Sequence, residues 1–219
     1  MELFTNPEAE LTLKFDKFKF TILSLVLASA LWIIVFLLQP YDFWISLSLT
    51  TFLMMTLSLG INGEDLAKTF GKVNPRMIIY GVASGLLLYG FFYFGFQIIK
   101  STPFLALGVH NVYGLRLSKP AYVIALLLIF PIAPGEETYW RGLVQRRLTE
   151  RIGCKAGFVL SAATYALVHL PTLNPTLILT ALIGGLVWGA LYQFTDSLVP
   201  GIISHALWDV LIFVILPLA

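Results

Sequence analysis

One cysteine, Cys154, in 219 residues excludes an internal disulfide and any zinc site built from several cysteines. Charge is also scarce. Charged residues make up 12% of the chain, where a soluble domain carries about a quarter. A net charge of +2 with no dense basic face excludes a nucleic-acid binder. The opening Met1-Glu2-Leu3-Phe4-Thr5-Asn6-Pro7-Glu8 is acidic and polar. It lacks the basic start of a signal peptide, so the first apolar run is expected to be a retained span. No lipidation signal is evident, and the chain shows no internal repeat or low-complexity segment. There is no Gly-x-Ser-x-Gly elbow for a serine hydrolase and no His-Glu-x-x-His helix for a conventional zinc protease.

What is present is apolar sequence. Hydrophobic residues reach 58% and mean hydropathy is +0.85. A spanning helix needs roughly 20 apolar residues, and seven stretches are candidates. They are Phe20 to Gln39, Phe43 to Gly60, Met77 to Ile99, a run from Ala121 to Thr149, Ala156 to His169, Thr176 to Tyr192, and Leu198 to Leu218. The fold class is therefore an all-α polytopic transmembrane bundle. It has seven spans, or eight if residues 100–120 hide another membrane segment. Residues 1–219 form a single integral membrane domain, with 1–19 as an N-terminal segment on the cytoplasmic side. The fourth span carries Pro131 and Pro134 and is expected to be one long helix kinked at Pro134. The stretch Ile61 to Arg76 suits a short amphipathic helix on the membrane surface.

Positive charge sets orientation. With the N-terminus in the cytoplasm, Lys14, Lys17, Lys19, Lys68, Lys72, Arg76, Arg146, Arg147, Arg151 and Lys155 all lie inside. Only Lys100, Arg116 and Lys119 lie outside. On this count Glu136 lies ten residues from Arg146, about 15 Å along a helix. The polar cluster is then expected near mid-depth, leaning toward the cytoplasmic side.

That cluster carries the chemistry, because ionisable groups at membrane depth are costly and mark functional sites. In Gly135-Glu136-Glu137-Thr138-Tyr139-Trp140-Arg141, Glu137 and Arg141 share a helix face. Glu136 is turned about 100° away. Arg141 is expected to neutralise Glu137, leaving Glu136 as the reactive carboxylate. Tyr165 and His169 lie one turn apart in the fifth span. His205 and Asp209 are spaced i,i+4 in the seventh, a spacing that can orient an imidazole or hold a metal. Each of these pairs taken alone also suits a satisfied buried polar group. His110 has no assigned role. Together, Glu136 and His169 could deprotonate a water while His205 with Asp209 stabilises an oxyanion, the parts needed to hydrolyse an amide. A buried Glu/His cluster also suits a proton-relaying transporter or a self-immunity protein that binds another membrane protein.

The order Glu136-Glu137-Thr138-Tyr139-Trp140-Arg141, then Tyr165-Ala166-Leu167-Val168-His169, then His205-Ala206-Leu207-Trp208-Asp209 resembles the CAAX-processing and bacteriocin-processing (CPBP, or Abi) intramembrane proteases. This family includes the type II CAAX prenyl endopeptidases. The likeness covers roughly residues 121–218, the last four spans. It implies a glutamate-type intramembrane endopeptidase acting on membrane-associated peptide or protein substrates, prenylated CAAX-type proteins among them. It implies Glu136, His169, His205 and Asp209 as catalytic residues, and Glu137, Arg141 and Tyr165 as supporting ones. No cofactor is favoured, although Glu136, His169 and His205 form a set that could hold zinc. Two residues depart from the family pattern. Tyr165 stands where Phe is more usual, and Asp209 where the prenyl-protease branch has Asn. An ionised Asp can only accept hydrogen bonds.

Overall fold

The computed structural model describes the backbone of residues 7–70 and 73–219, and the side chains of residues 17–63, 69–70 and 73–219. Every regular element among them is helical. Helix α1 spans Pro7–Ile33 and runs on through a widened i→i+5 stretch at Ile34–Leu38. It is followed by α2 (Phe43–Phe70), α3 (Pro75–Ile99) and α4 (Pro103–Gly114). The continuous path α5 occupies Ala121–Ile152. Then come α6 (Cys154–Leu167), α7 (Pro175–Thr195) and α8 (Val199–Ile215).

Local chemistry sets several helix ends. The Asn74 side chain accepts from the Arg76 and Met77 amides, and Asn174 accepts from the Leu177 amide. Each asparagine is followed by a proline in the first turn. Such caps satisfy amides that have no partner within the helix. Gly153, at φ 89°, turns the chain between α5 and α6, a conformation that costs glycine little.

Among the described residues, five helices are long and apolar enough to cross a bilayer: α1, α2, α3, α5 and α7. The remaining two expected spans are shorter. Helix α6 has 14 residues and α8 runs for only Val199–Ile215. The 14 residues of α6, as many as in the expected fifth span, rise about 21 Å, but the helix ends at Leu167 and leaves His169 in the turn beyond it. Residues 100–120 contain α4, whose 12 residues rise about 18 Å and are too short to cross. After Gly60 the chain leaves helical geometry at Asn62 (φ −131°, ψ 16°), and a second helical stretch runs on to Phe70, where the short helix is expected. The side chains of Lys14, Lys68 and Lys72, expected on the cytoplasmic side, lie outside the described residues.

Helix α5 is one long element, as its sequence predicts, but its irregularity is not a single bend at Pro134. Two widened i→i+5 stretches, Leu128–Ile132 and Thr138–Gln145, flank that proline. Such turns are rare and gather at functional sites. Side-chain hydroxyls serve carbonyls in this region. Thr138 donates to the Pro134 carbonyl (2.7 Å), and Thr51 of α2 to the Pro131 carbonyl (3.3 Å). At Gly135 a Cβ would stand 2.7 Å from the Thr51 carbonyl oxygen, so only glycine lets α5 lie this close to α2. A similar rule seats α3 on α8. A Cβ at Gly81 would meet Ile203 at 2.7 Å, and one at Gly85 would meet the Ser204 carbonyl at 3.0 Å. Small residues four apart are how membrane helices approach closely.

The core forms around α5. Tyr139, Trp140, Leu143 and Val144 are fully buried, and Trp32 of α1, Trp188 of α7 and Trp208 of α8 pack in the same cluster. Two α5 side chains also reach backbone carbonyls on α7. Arg141 donates to Gly185 (3.2 Å) and Gln145 to Gly189 (2.9 Å). These bonds fix the α5–α7 register at the level of the acids.

Candidate active site

The two adjacent acids of α5 point into different surroundings. Glu137 is 1% exposed and turns toward α8, where its Oε1 accepts from the Arg141 guanidinium at 3.0 Å and from His205 Nδ1 at 2.8 Å. Gly201 makes room for this carboxylate, since a Cβ there would stand 3.0 Å from Glu137 Oε2. Glu136 turns toward α6 and accepts the Tyr165 hydroxyl at 2.5 Å. The division expected from helix geometry is therefore present, with Arg141 on Glu137 and Glu136 on another face.

Arg141 is the hub of the supporting network. Its guanidinium also lies over the Tyr165 ring at 4.9 Å and the Trp188 ring at 5.4 Å. A delocalised cation between two aromatic faces, paired to a carboxylate and a carbonyl, is well compensated for its burial.

His205 lies flat on Trp188, with ring centroids 3.6 Å apart and planes 16° from parallel. Trp188 is itself held by a bond from its indole to the Ser204 hydroxyl at 3.2 Å. The sequence expectation gave Asp209 the task of orienting His205. In the structure Glu137 holds Nδ1 at 2.8 Å, and Asp209 Oδ2 stands 3.6 Å from Nε2. Because an ionised carboxylate only accepts, the Glu137 contact puts a proton on Nδ1.

His169 sits just after α6. Its Nδ1 lies 2.9 Å from the Tyr165 carbonyl, and the Trp32 indole donates to Nε2 at 3.3 Å. A carbonyl can only accept, so these partners select the tautomer with a proton on Nδ1 and a lone pair on Nε2. The Tyr165 and His169 rings meet edge to face at 5.5 Å.

Glu136, Tyr165, His169, Trp188, His205 and Asp209 all line one cavity of about 320 Å³. Its remaining lining is largely aromatic and aliphatic, with contributions from α2, α3, α4 and α8. The cavity is a greasy chamber with its polar groups gathered on one wall. Glu137 and Arg141 stand behind that wall.

Among the described residues, no three His, Cys, Asp or Glu side chains stand together so as to hold a metal ion.

Trp32 and Trp188 are site residues that sequence reasoning missed. Trp188 lies in Gly184-Gly185-Leu186-Val187-Trp188-Gly189, where closely spaced glycines could have marked a close approach. Trp32 is one aromatic in an apolar run, and nothing local distinguishes it.

Residues 118–211 match the family model described as Type II CAAX prenyl endopeptidase Rce1-like. The match spans the three helices that carry the motifs, so over this part the chain is similar to the CAAX-protease family. No curated protein matches the chain, and no solved structure matches it.

Proposed function

Taking the chain as CAAX-protease-like over residues 118–211, we propose that it is an intramembrane endopeptidase in which Glu136 and His169 activate water. The observation that carries this reading is the separation of the two acids. Glu137 is held by Arg141 and His205, while Glu136 faces the cavity with only a tyrosine hydroxyl on one oxygen.

A water that takes the place of the Trp32 indole at His169 Nε2 and reaches Glu136 gives its proton to the carboxylate as its oxygen attacks the scissile carbonyl carbon. His205, flanked by Glu137 and Asp209, donates from Nε2 to the resulting oxyanion when doubly protonated. Asp209 then orients that nitrogen rather than touching the oxyanion. As the C–N bond breaks, the proton held by Glu136 passes to the leaving amine. Stacking on Trp188 keeps the His205 plane fixed through these steps. No step needs a metal, and the substrate is a membrane-associated peptide or protein whose apolar part fills the aromatic chamber.

The test is cleavage of a membrane-inserted fluorogenic peptide by purified protein, with and without chelator, alongside metal analysis and the His169→Ala variant. Turnover that survives chelation and disappears in His169→Ala supports the proposal. Turnover that fails on chelation and returns with zinc overturns its metal-free form. Normal turnover in His169→Ala overturns the role of His169.

A further inference from the structure

We propose that Trp32 is a latch on His169, released when an apolar part of the substrate presses on Phe36. The proposal rests on the protease reading above and deepens it with a requirement on the substrate.

The latch is a competition for one lone pair. The Tyr165 carbonyl keeps the proton of His169 on Nδ1, so Nε2 is the only acceptor on the ring. The Trp32 indole fills that acceptor at 3.3 Å. An indole can only donate, and a water activated by His169 must donate to the same lone pair. Indole and water therefore exclude each other.

Trp32 is held from behind the site. It is 1% exposed and meets the Trp140 ring edge to face at 5.7 Å. One helical stretch earlier, the Ser24 and Tyr139 hydroxyls bond at 3.2 Å and tie α1 to α5. The chamber wall includes Phe36 but not Trp32, so a bound substrate touches the first and not the second.

Phe36 is placed to pass that contact on. Its ring meets His169 edge to face at 5.0 Å, and the Trp32 ring meets it at 6.4 Å. The two rings thus share the face of α1 that fronts the histidine. Between them the regular helix gives way to the widened stretch Ile34–Leu38, a feature frequent at functional sites. This stretch packs on Leu170–Thr172, the turn that follows His169. A bulky apolar group pressing on Phe36 shifts the end of α1, draws the indole off Nε2 and admits water. A peptide without such a group binds a site that stays latched. Binding energy from a remote part of the substrate then completes the site, as in induced fit. Both residues lie on α1, outside the stretch that carries the three motifs.

The test compares two fluorogenic peptides of one sequence in nanodiscs, one with an S-farnesyl cysteine and one without. Trp32→Phe keeps a ring against Trp140 and removes the indole N–H. For the farnesylated peptide it should lower KM about two- to tenfold, the contribution of one neutral hydrogen bond, with kcat unchanged. For the bare peptide it should raise kcat by a similar factor, because the bound enzyme is no longer latched. Phe36→Ala should lower kcat on the farnesylated peptide in wild type but not in the Trp32→Phe background. A fall in kcat on both peptides in Trp32→Phe would make Trp32 a plain support of His169 and overturn the latch. An equal Phe36→Ala loss in both backgrounds would overturn it too.

A second readout needs no turnover. The chain has five tryptophans, so its indole 15N–H resonances are few. The Trp32 signal is the one that moves in His169→Ala, which identifies it even if Trp32→Phe does not fold. S-farnesyl cysteine methyl ester should shift it in wild type toward its position in His169→Ala. A Trp32 signal that stays in place while those of Trp188 and Trp208, which line the chamber, respond would overturn the latch. A protein that cleaves neither peptide would defeat the protease reading, and the indole signal would still decide whether the latch exists.

Discussion

The His205 imidazole rests face to face on the Trp188 indole, 3.6 Å between centroids and 16° from parallel. Nothing else in the site constrains the imidazole plane as directly, since Glu137 fixes only Nδ1. Trp188→Phe keeps an aromatic face and loses one bond to Ser204, so it should cost about 0.5–1.5 kcal/mol in stability and leave substantial turnover. Trp188→Leu removes the flat support and should lower kcat about 100-fold, the scale of a small misplacement of a reacting group, with KM changed much less. Steady-state kinetics on both variants decide this, and equal activity in the two would remove stacking from the account.

The helical framework was legible because apolar runs of bilayer length and their proline stops are local properties. The three motifs were legible because costly residues stand out in such runs. The end of α6 was not legible, since Pro171 permits a helix to His169 and the helix stops at Leu167. The partner of His205 was not legible either. The i,i+4 rule offers Asp209, but the nearer oxygen comes from Glu137, 68 residues away. The widened turns of α5 and the Trp32–His169 bond are likewise long-range outcomes, invisible to any pattern read along one helix.

Arg141→Ala leaves the Glu137 carboxylate buried beside His205 without its cation. Removing one partner of a buried pair costs about 3–5 kcal/mol, so this variant should melt far below wild type or fail to accumulate. Arg141→Lys keeps the charge but not the planar fork that reaches both Glu137 and the Gly185 carbonyl. It should fall between the two. Detergent thermal melts rank them, and a wild-type melt for Arg141→Ala would contradict the hub role.

Gly201→Ala puts a methyl carbon 3.0 Å from Glu137 Oε2. Overpacking of this kind costs about 1–3 kcal/mol, and here it also pushes the carboxylate that positions His205. The expected signature is a loss of kcat larger than the drop in stability would suggest. A variant that loses stability alone would leave Glu137 a purely architectural role.

Tyr165→Phe restores the residue more usual in the family pattern and removes the hydroxyl that bonds Glu136. A hydrogen bond to a charged group contributes about 1.5–3 kcal/mol, so stability should fall within that range. Turnover should persist, because the hydroxyl serves one carboxylate oxygen and the water needs the other. Complete loss of cleavage in a folded Tyr165→Phe protein would mean that the tyrosine itself takes part in the chemistry.

Glu136→Gln is the most direct test, because it preserves shape and a hydrogen-bonding oxygen for Tyr165 while removing the base. Peptide cleavage and thermal melting are measured on the same purified sample. The account predicts a melt close to wild type with cleavage reduced to background. Wild-type cleavage from Glu136→Gln would contradict it, and so would a protein that melts early while its folded fraction still turns over substrate.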